Sequence, residues 1–311
     1  MLVAGLVCSR FLHYAALMAL FGVSLFPLYA YPSRVGDPPA RLDRCLQLTL
    51  TTAAFVALLS GVFWLLCTVA AMTGTASGVV DGDALWSVLN DTGFGAVWVA
   101  RLALIAVLLG VVAIRMVPRP DRLTLVLSAA ALASLAGVGH TQVNEGTARL
   151  VHMSADGAHL LAAGAWLGGL MPLAHIVAVA RSPSSPDLSI DATSVLLRFS
   201  GMGYVAVTVL IGSGLVNSWF LVGSVANLAP TPYGQLLCVK LCLFAGMLAL
   251  AVLNRFWLLP SLISAKESGQ PATWLGRLRR HILGEQALGL AVLLIVSVLG
   301  TLQPAISASS Q

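Results

Sequence analysis

The sequence predicts an all-α integral membrane protein of eight transmembrane helices, arranged as two parallel four-helix repeats. Three observations carry that prediction. The 311 residues are 58% hydrophobic and only 9% charged, where a soluble domain carries about 25% charged residues. The apolar residues gather into eight runs, each near the roughly 20 residues that a helix needs to cross the hydrocarbon core. The basic residues fall in alternate loops between those runs, the pattern that sets the orientation of a polytopic protein. A formal net charge of +5 would also suit nucleic acid. Here the charges lie in short loops between apolar runs, so no nucleic-acid partner is expected and membrane lipid is the surrounding medium.

The runs cover 11–31, 45–72, 94–117, 123–139, 152–177, 199–222, 236–259 and 282–302. Backbone amides in lipid have no water to bond, so each run is read as a helix that satisfies its own polar groups. Residues 1–311 read as one polytopic domain, with repeats at 1–140 and 141–311. The N-terminus is apolar from residue 2 and lacks a basic region or cleavage site, so it reads as the lead-in to the first helix. The five cysteines lie in or beside apolar runs and form no extracellular disulfide framework.

One set of loops holds Arg34, Arg41, Arg44, Arg115, Arg119, Arg122, Arg181, Arg198, Lys266, Arg277, Arg279 and Arg280. The opposite loops hold Asp81, Asp83, Asp91 and Glu145, with Arg149 as the one basic residue. The first set is expected in the cytoplasm, which puts both termini in the periplasm of a bacterial inner membrane.

Two alignments relate the halves. Thr92-Gly93-Phe94-Gly95 precedes Arg101 as Thr231-Pro232-Tyr233-Gly234 precedes Lys240, and at that offset Arg10 and His13 meet Arg149 and His152. A second register pairs Leu25-Phe26-Pro27-Leu28 with Leu170-Met171-Pro172-Leu173 and brings His13 close to His159. Both give parallel repeats, and duplicated transporters build their sites between the repeats.

Ionisable groups inside a membrane are costly and mark function. The fifth run carries His152, Asp156 and His159 within about 60° of helical arc, and Trp166 continues the stripe. His140 ends the fourth run on the same side, and His13 lies at similar depth in the first. His13, His140, His152, Asp156 and His159 are therefore the expected metal residues, with Asp156 as an oxygen ligand or as the group that orients a histidine. Imidazole suits copper and zinc, and sulfur favours Cu(I). Met153, Met72, Cys238 and Cys242 lie at similar depth but read equally as apolar filling. His13 reads equally as a satisfied polar residue of the core, and Asp156 as a partner of Arg101 or Lys240. His152 and His159 are separated by about 10.5 Å of helical rise, so they serve two successive points, or one site draws a ligand from the first or fourth helix. Glu285 is expected near the cytoplasmic end of the last helix. It is either paired with His281, Arg255 or Arg198, or acts as an exit-side or proton-coupling group.

The stretch Asp156-Gly157-Ala158-His159-Leu160-Leu161-Ala162-Ala163-Gly164-Ala165-Trp166-Leu167-Gly168-Gly169-Leu170, with Gly139-His140 before it, resembles the CopD/PcoD copper-resistance membrane family. Arg198-Phe199-Ser200, Gly214 with Asn217, Thr231 with Tyr233-Gly234 and Lys240-Leu241, Asn254-Arg255 and Glu285 fit the same pattern. The resemblance implies copper as the ion, copper transport or tolerance as the function, and a separate periplasmic copper-binding partner of the CopC type. No phosphate-binding loop of the form G-x-x-x-x-G-K-S/T occurs, nor a Cys-Pro-Cys run or aspartyl-phosphate module, so transport is not directly ATP-driven and no enzyme is expected. The rival readings are a haem redox protein of cytochrome b or HemJ type using His13 with His140 or His159, and a sensor or scaffold that passes copper to a partner.

Overall fold

The computed structural model describes residues 2–31, 40–74, 81–114, 122–138, 145–181, 191–268 and 270–308. Every long element is a helix: α1 (Leu2–Ala30), α2 (Ala40–Thr73), α4 (Gly93–Ile114), α6 (Gly146–Ala180), α7 (Ala192–Leu221), α8 (Pro232–Leu253) and α10 (Pro271–Leu299). Shorter helices are α3 (Gly82–Asp91), α5 (Arg122–Ala133), α9 (Leu259–Glu267) and α11 (Ala305–Ala308). A π-helical turn, Asn254–Leu258, joins α8 to α9.

Seven helices among the described residues are long and apolar enough to cross a membrane, counting α8, the π turn and α9 as one. The expected fourth span is shorter. It consists of α5 and a 3₁₀ turn, Ser134–Gly137, which together reach about 26 Å. This segment still returns the chain to the end where α4 began, because Ser134 meets Arg101 in the third turn of α4. The acidic loop between the second and third runs contains α3, a helix that the hydropathy pattern does not announce. Asp81 caps it, its Oδ1 accepting from the Asp83 and Ala84 amides at 3.1 Å each. At ten residues, α3 is too short to register as a span.

The helices run longer than the apolar runs that announce them. α1 starts at Leu2 and α10 at Pro271, so polar residues such as Arg10 and Arg277 are taken into helices. Each of these guanidiniums lies over an indole ring, Arg10 at 5.1 Å from Trp64 and the exposed Arg277 at 4.7 Å from Trp274, within cation–π range.

α1 and α6 form the centre. α1 packs against α2, α5, α6 and α10, and α6 packs against α7, α5 and α10 as well. Lipid supplies no hydrophobic drive between helices, so their association relies on close packing of small residues. A Cβ on Gly22 would lie 2.5 Å from the Gly164 carbonyl oxygen and 2.5 Å from the Gly168 Cα, and one on Gly168 would lie 2.1 Å from the Met18 carbonyl oxygen. The two backbones touch. Outward faces of α4, α7 and α8 expose Val107, Val205, Leu215 and Leu241, as lipid contact requires. At the other end from the α6 N-terminus, Asp191 caps α7 and receives Lys266 Nζ at 2.6 Å, a half-exposed pair worth under about 1 kcal/mol.

Gly168→Leu should therefore disrupt the bundle, whereas Gly212→Leu, with nothing within 4 Å of its added Cβ, should be tolerated. Thermal unfolding in detergent checks this: overpacking of about 1–3 kcal/mol or more is expected for Gly168→Leu, and equal melting of the two variants would refute the close crossing.

Candidate metal centre

Two histidines sit in closely similar cradles, one in each half of the chain. In the first, His13 on α1 is fully buried. Its Nδ1 lies 2.9 Å from the Ala57 carbonyl oxygen and 3.2 Å from Ser60 Oγ on α2. A carbonyl only accepts, so Nδ1 carries the proton and Nε2 holds the lone pair. That lone pair accepts from Arg101 Nη2 on α4 at 3.0 Å. Arg101 Nη1 donates to Ser134 Oγ and to the Ala131 carbonyl. Trp64 closes the cradle edge-on at 5.7 Å. Both ring nitrogens are engaged, and a guanidinium occupies the place from which a metal would approach. Such engagement of both nitrogens fits the second of the two readings open for His13, a polar residue of the core.

In the second cradle, His159 on α6 places Nδ1 2.9 Å from Ser213 Oγ on α7. The single Ser213 hydroxyl proton goes to the Val209 carbonyl, 2.5 Å away. Ser213 therefore accepts from His159 Nδ1–H, and the lone pair is left on Nε2. A ligating histidine is commonly held in this way, by a hydrogen bond from its other nitrogen. Asp156, one turn earlier on α6, accepts from Asn217 Nδ2 at 3.3 Å. The Lys240 ammonium on α8 acts on both Asp156 and His159.

The cradles match in detail. Ser60 donates to the Val56 carbonyl at 2.6 Å as Ser213 does to Val209. Each serine is followed by a glycine beneath the imidazole: an added Cβ would lie 3.0 Å from His13 Cε1 at Gly61 and 3.7 Å from His159 Cε1 at Gly214. The basic residue opposite comes from a helix capped identically, with Thr92 Oγ1 accepting from the Gly95 amide and Thr231 Oγ1 from the Gly234 amide, each at 3.0 Å. His13 thus answers His159, as in the second register, while Thr92 and Arg101 answer Thr231 and Lys240, as in the first.

The remaining expected residues are dispersed. His152 is buried and stacked on Phe220, centroids 4.6 Å apart and planes 9° apart, two turns from His159. His140 lies outside the described residues, as do Arg34, Arg115 and Arg119. Among the described residues no three of His, Cys, Asp and Glu come within reach of one metal ion. Cys238 and Cys242 are exposed on the outer face. His175 meets Cys45 Sγ at 3.8 Å, toward the far end.

Glu285 corrects an expectation. It lies fourteen residues inside α10, not one turn from the end, because the helix extends back to Pro271. Its partners are Asn254 Nδ2 at 2.6 Å and Trp166 Nε1 at 3.3 Å, not His281, Arg255 or Arg198. Sequence reasoning also missed Ser60 and Ser213. The Ser-Gly pairs at 60–61 and 213–214 were the available signal, visible only once the halves are aligned.

These helices and buried cradles define a multi-pass, all-α membrane protein with polar groups in its interior. Comparison with known proteins narrows it. A family model described as copper resistance protein D-like, N-terminal domain, matches residues 1–150, and one described as copper resistance protein D matches residues 193–299. The inner membrane protein YebZ of Escherichia coli K12 is 31% identical over 96% of this chain and 98% of its own length. Copper resistance protein D of Pseudomonas syringae pv. tomato is 31% identical over 97% of each chain. Copper transport protein CutJ of Bacillus subtilis 168 is 28% identical over 96% of this chain and 52% of its own length. No solved structure matches. The chain belongs to the copper resistance protein D family.

Proposed function

We propose that this protein moves copper ions across the bacterial inner membrane, from periplasm to cytoplasm, in copper homeostasis. The observation that carries the reading is His159: its Nδ1–H is committed to Ser213, which leaves the Nε2 lone pair for an incoming ion. The names of the relatives, one a copper transport protein and one a copper resistance protein, support copper as that ion. Asp156 adds an oxygen ligand or orients the site. His152 and His140 receive the ion nearer the surface, and Arg101 keeps His13 out of the coordination sphere. A single imidazole beside one carboxylate holds an ion loosely, as a transit site must. The paired-histidine haem reading requires His13 Nε2, which Arg101 occupies.

The arginine-rich loops orient the bundle with both termini in the periplasm, so the His159 end opens outward, where a CopC-type protein would deliver copper. The matched cradles support the division of the chain into repeats at 1–140 and 141–311, related by an axis along the membrane normal.

His159→Ala is expected to abolish copper binding by the purified protein and copper entry into proteoliposomes. Ser213→Ala should weaken binding about 10-fold or more, whereas His175→Ala should match the wild type. Wild-type affinity in His159→Ala would end this assignment. For the orientation, a reporter fused after Gln311 should be active only in the periplasm and one inserted near Ser268 only in the cytoplasm; the reverse pattern would place the site inside.

A further inference from the structure

Glu285 is a carboxyl group in the interior of the bundle, 2% exposed, at the meeting of α10, α6 and the π turn. Each oxygen receives one N–H: Oε1 from Asn254 at 2.6 Å, Oε2 from Trp166 at 3.3 Å. Among the described residues it makes no ion pair, and Trp166 and Asn254 are the polar groups that act on it. Four charged or titratable groups on the surrounding elements make no hydrogen bond or ion pair with it among the described residues. These are His281 one turn earlier on α10, Arg255 on the π turn, His159 two turns away on α6 and Lys240 on α8. An ionised carboxyl here has two neutral donors and no cation to offset its desolvation.

The Asn254 amide is built to meet either form. Its Oδ1 is buried with no donor, so half of the amide is unused. A half-turn of the amide brings Oδ1 to face Glu285 in place of Nδ2. An ionised Glu285 accepts from Nδ2, and a protonated one donates to Oδ1. Asn254 also opens the π turn, its carbonyl accepting from the Leu259 amide. Such turns are weak points in a helix and recur at functional sites. Trp166, the other partner, stands seven residues beyond His159, on the same face of α6 and about 10.5 Å deeper.

We propose that Glu285 is a proton-binding site coupled to movement of the ion, with Asn254 and the π turn responding to its protonation. The balance is simple. As a copper cation advances from His159, the Glu285 O–H bond breaks, the carboxylate offsets the incoming positive charge, and the proton leaves to water. The proton leaves on the cytoplasmic side, and once the ion has left the carboxyl is protonated again from the periplasmic side, so each cycle carries one proton inward with the ion. This rests on the copper reading above for its cargo, but not for the proton site itself.

Two measurements test it. In infrared difference spectra of the purified, copper-free protein across a pH series, a buried carboxyl C=O stretching band should titrate in the wild type and vanish in Glu285→Gln. In Asn254→Leu its midpoint should shift. A titrating band unchanged in Glu285→Gln overturns the proton site, whatever the protein carries. In proteoliposomes with an enclosed pH dye, wild-type copper entry should be accompanied by proton release and should vary by up to about tenfold per pH unit, as one linked proton allows. Glu285→Gln should still bind copper but show neither proton signal nor pH dependence. If both persist in Glu285→Gln, the coupling is wrong. If the wild type neither binds nor moves copper while the infrared band behaves as expected, the copper reading falls and the proton site stands.

Discussion

The close crossing of α1 and α6 sets the spacing of the rest of the bundle. Gly22 from one helix and Gly168 from the other leave no room for a β-carbon between the backbones. In lipid, where apolar surface is as comfortable outside as inside, such contact supplies packing that hydrophobicity does not. With the two helices fixed, α2 is brought against α1 and α7 against α6 in similar ways, and α5 and α10 lie across the joint. The polar cradles are consequences of this arrangement. Each forms where a histidine of a central helix meets a serine of its neighbour.

One scaffold therefore carries two different chemistries. The first cradle is closed by Arg101, whose fork reaches His13, Ser134 and the Ala131 carbonyl together. The second faces Lys240, a compact charge that makes no such clamp and acts at longer range on Asp156 and His159. The arginine supplies fixed hydrogen bonds and the lysine only a field. That difference leaves one imidazole satisfied within the core and the other with an open lone pair. Beyond His159 the polar stripe of α6 continues to Trp166 and so to Glu285, a line of polar groups that runs into the interior of the second half.

Much of the fold was legible because lipid imposes it. Apolar runs such as 45–72 must be helices, and the structure places a helix there to within a residue of the described span Arg44–Thr73. Helix ends were legible less well. α10 begins eleven residues before the apolar run at 282, since its first turns carry Arg277, Arg279 and Arg280 at the surface, and this error misplaced Glu285. The shortness of α5 was hidden because apolar composition continues through a 3₁₀ turn that no residue type announces. For the site, helical phase put His152, Asp156 and His159 on one stripe of α6. It did not reveal that Arg101 would claim His13, because that contact joins residues 88 positions apart. Nor did it reveal the serines, whose role depends on which proton their hydroxyl gives away.

On the proposed mechanism, copper bonds to the His159 nitrogen that Ser213 leaves free. X-ray absorption at the copper edge, on purified protein loaded with one equivalent, reads the bonded atoms directly. The account predicts a nearest shell of nitrogen and oxygen, with the outer-shell scattering of an imidazole ring that disappears in His159→Ala. A shell of sulfur alone, or imidazole scattering undiminished in that variant, would contradict it.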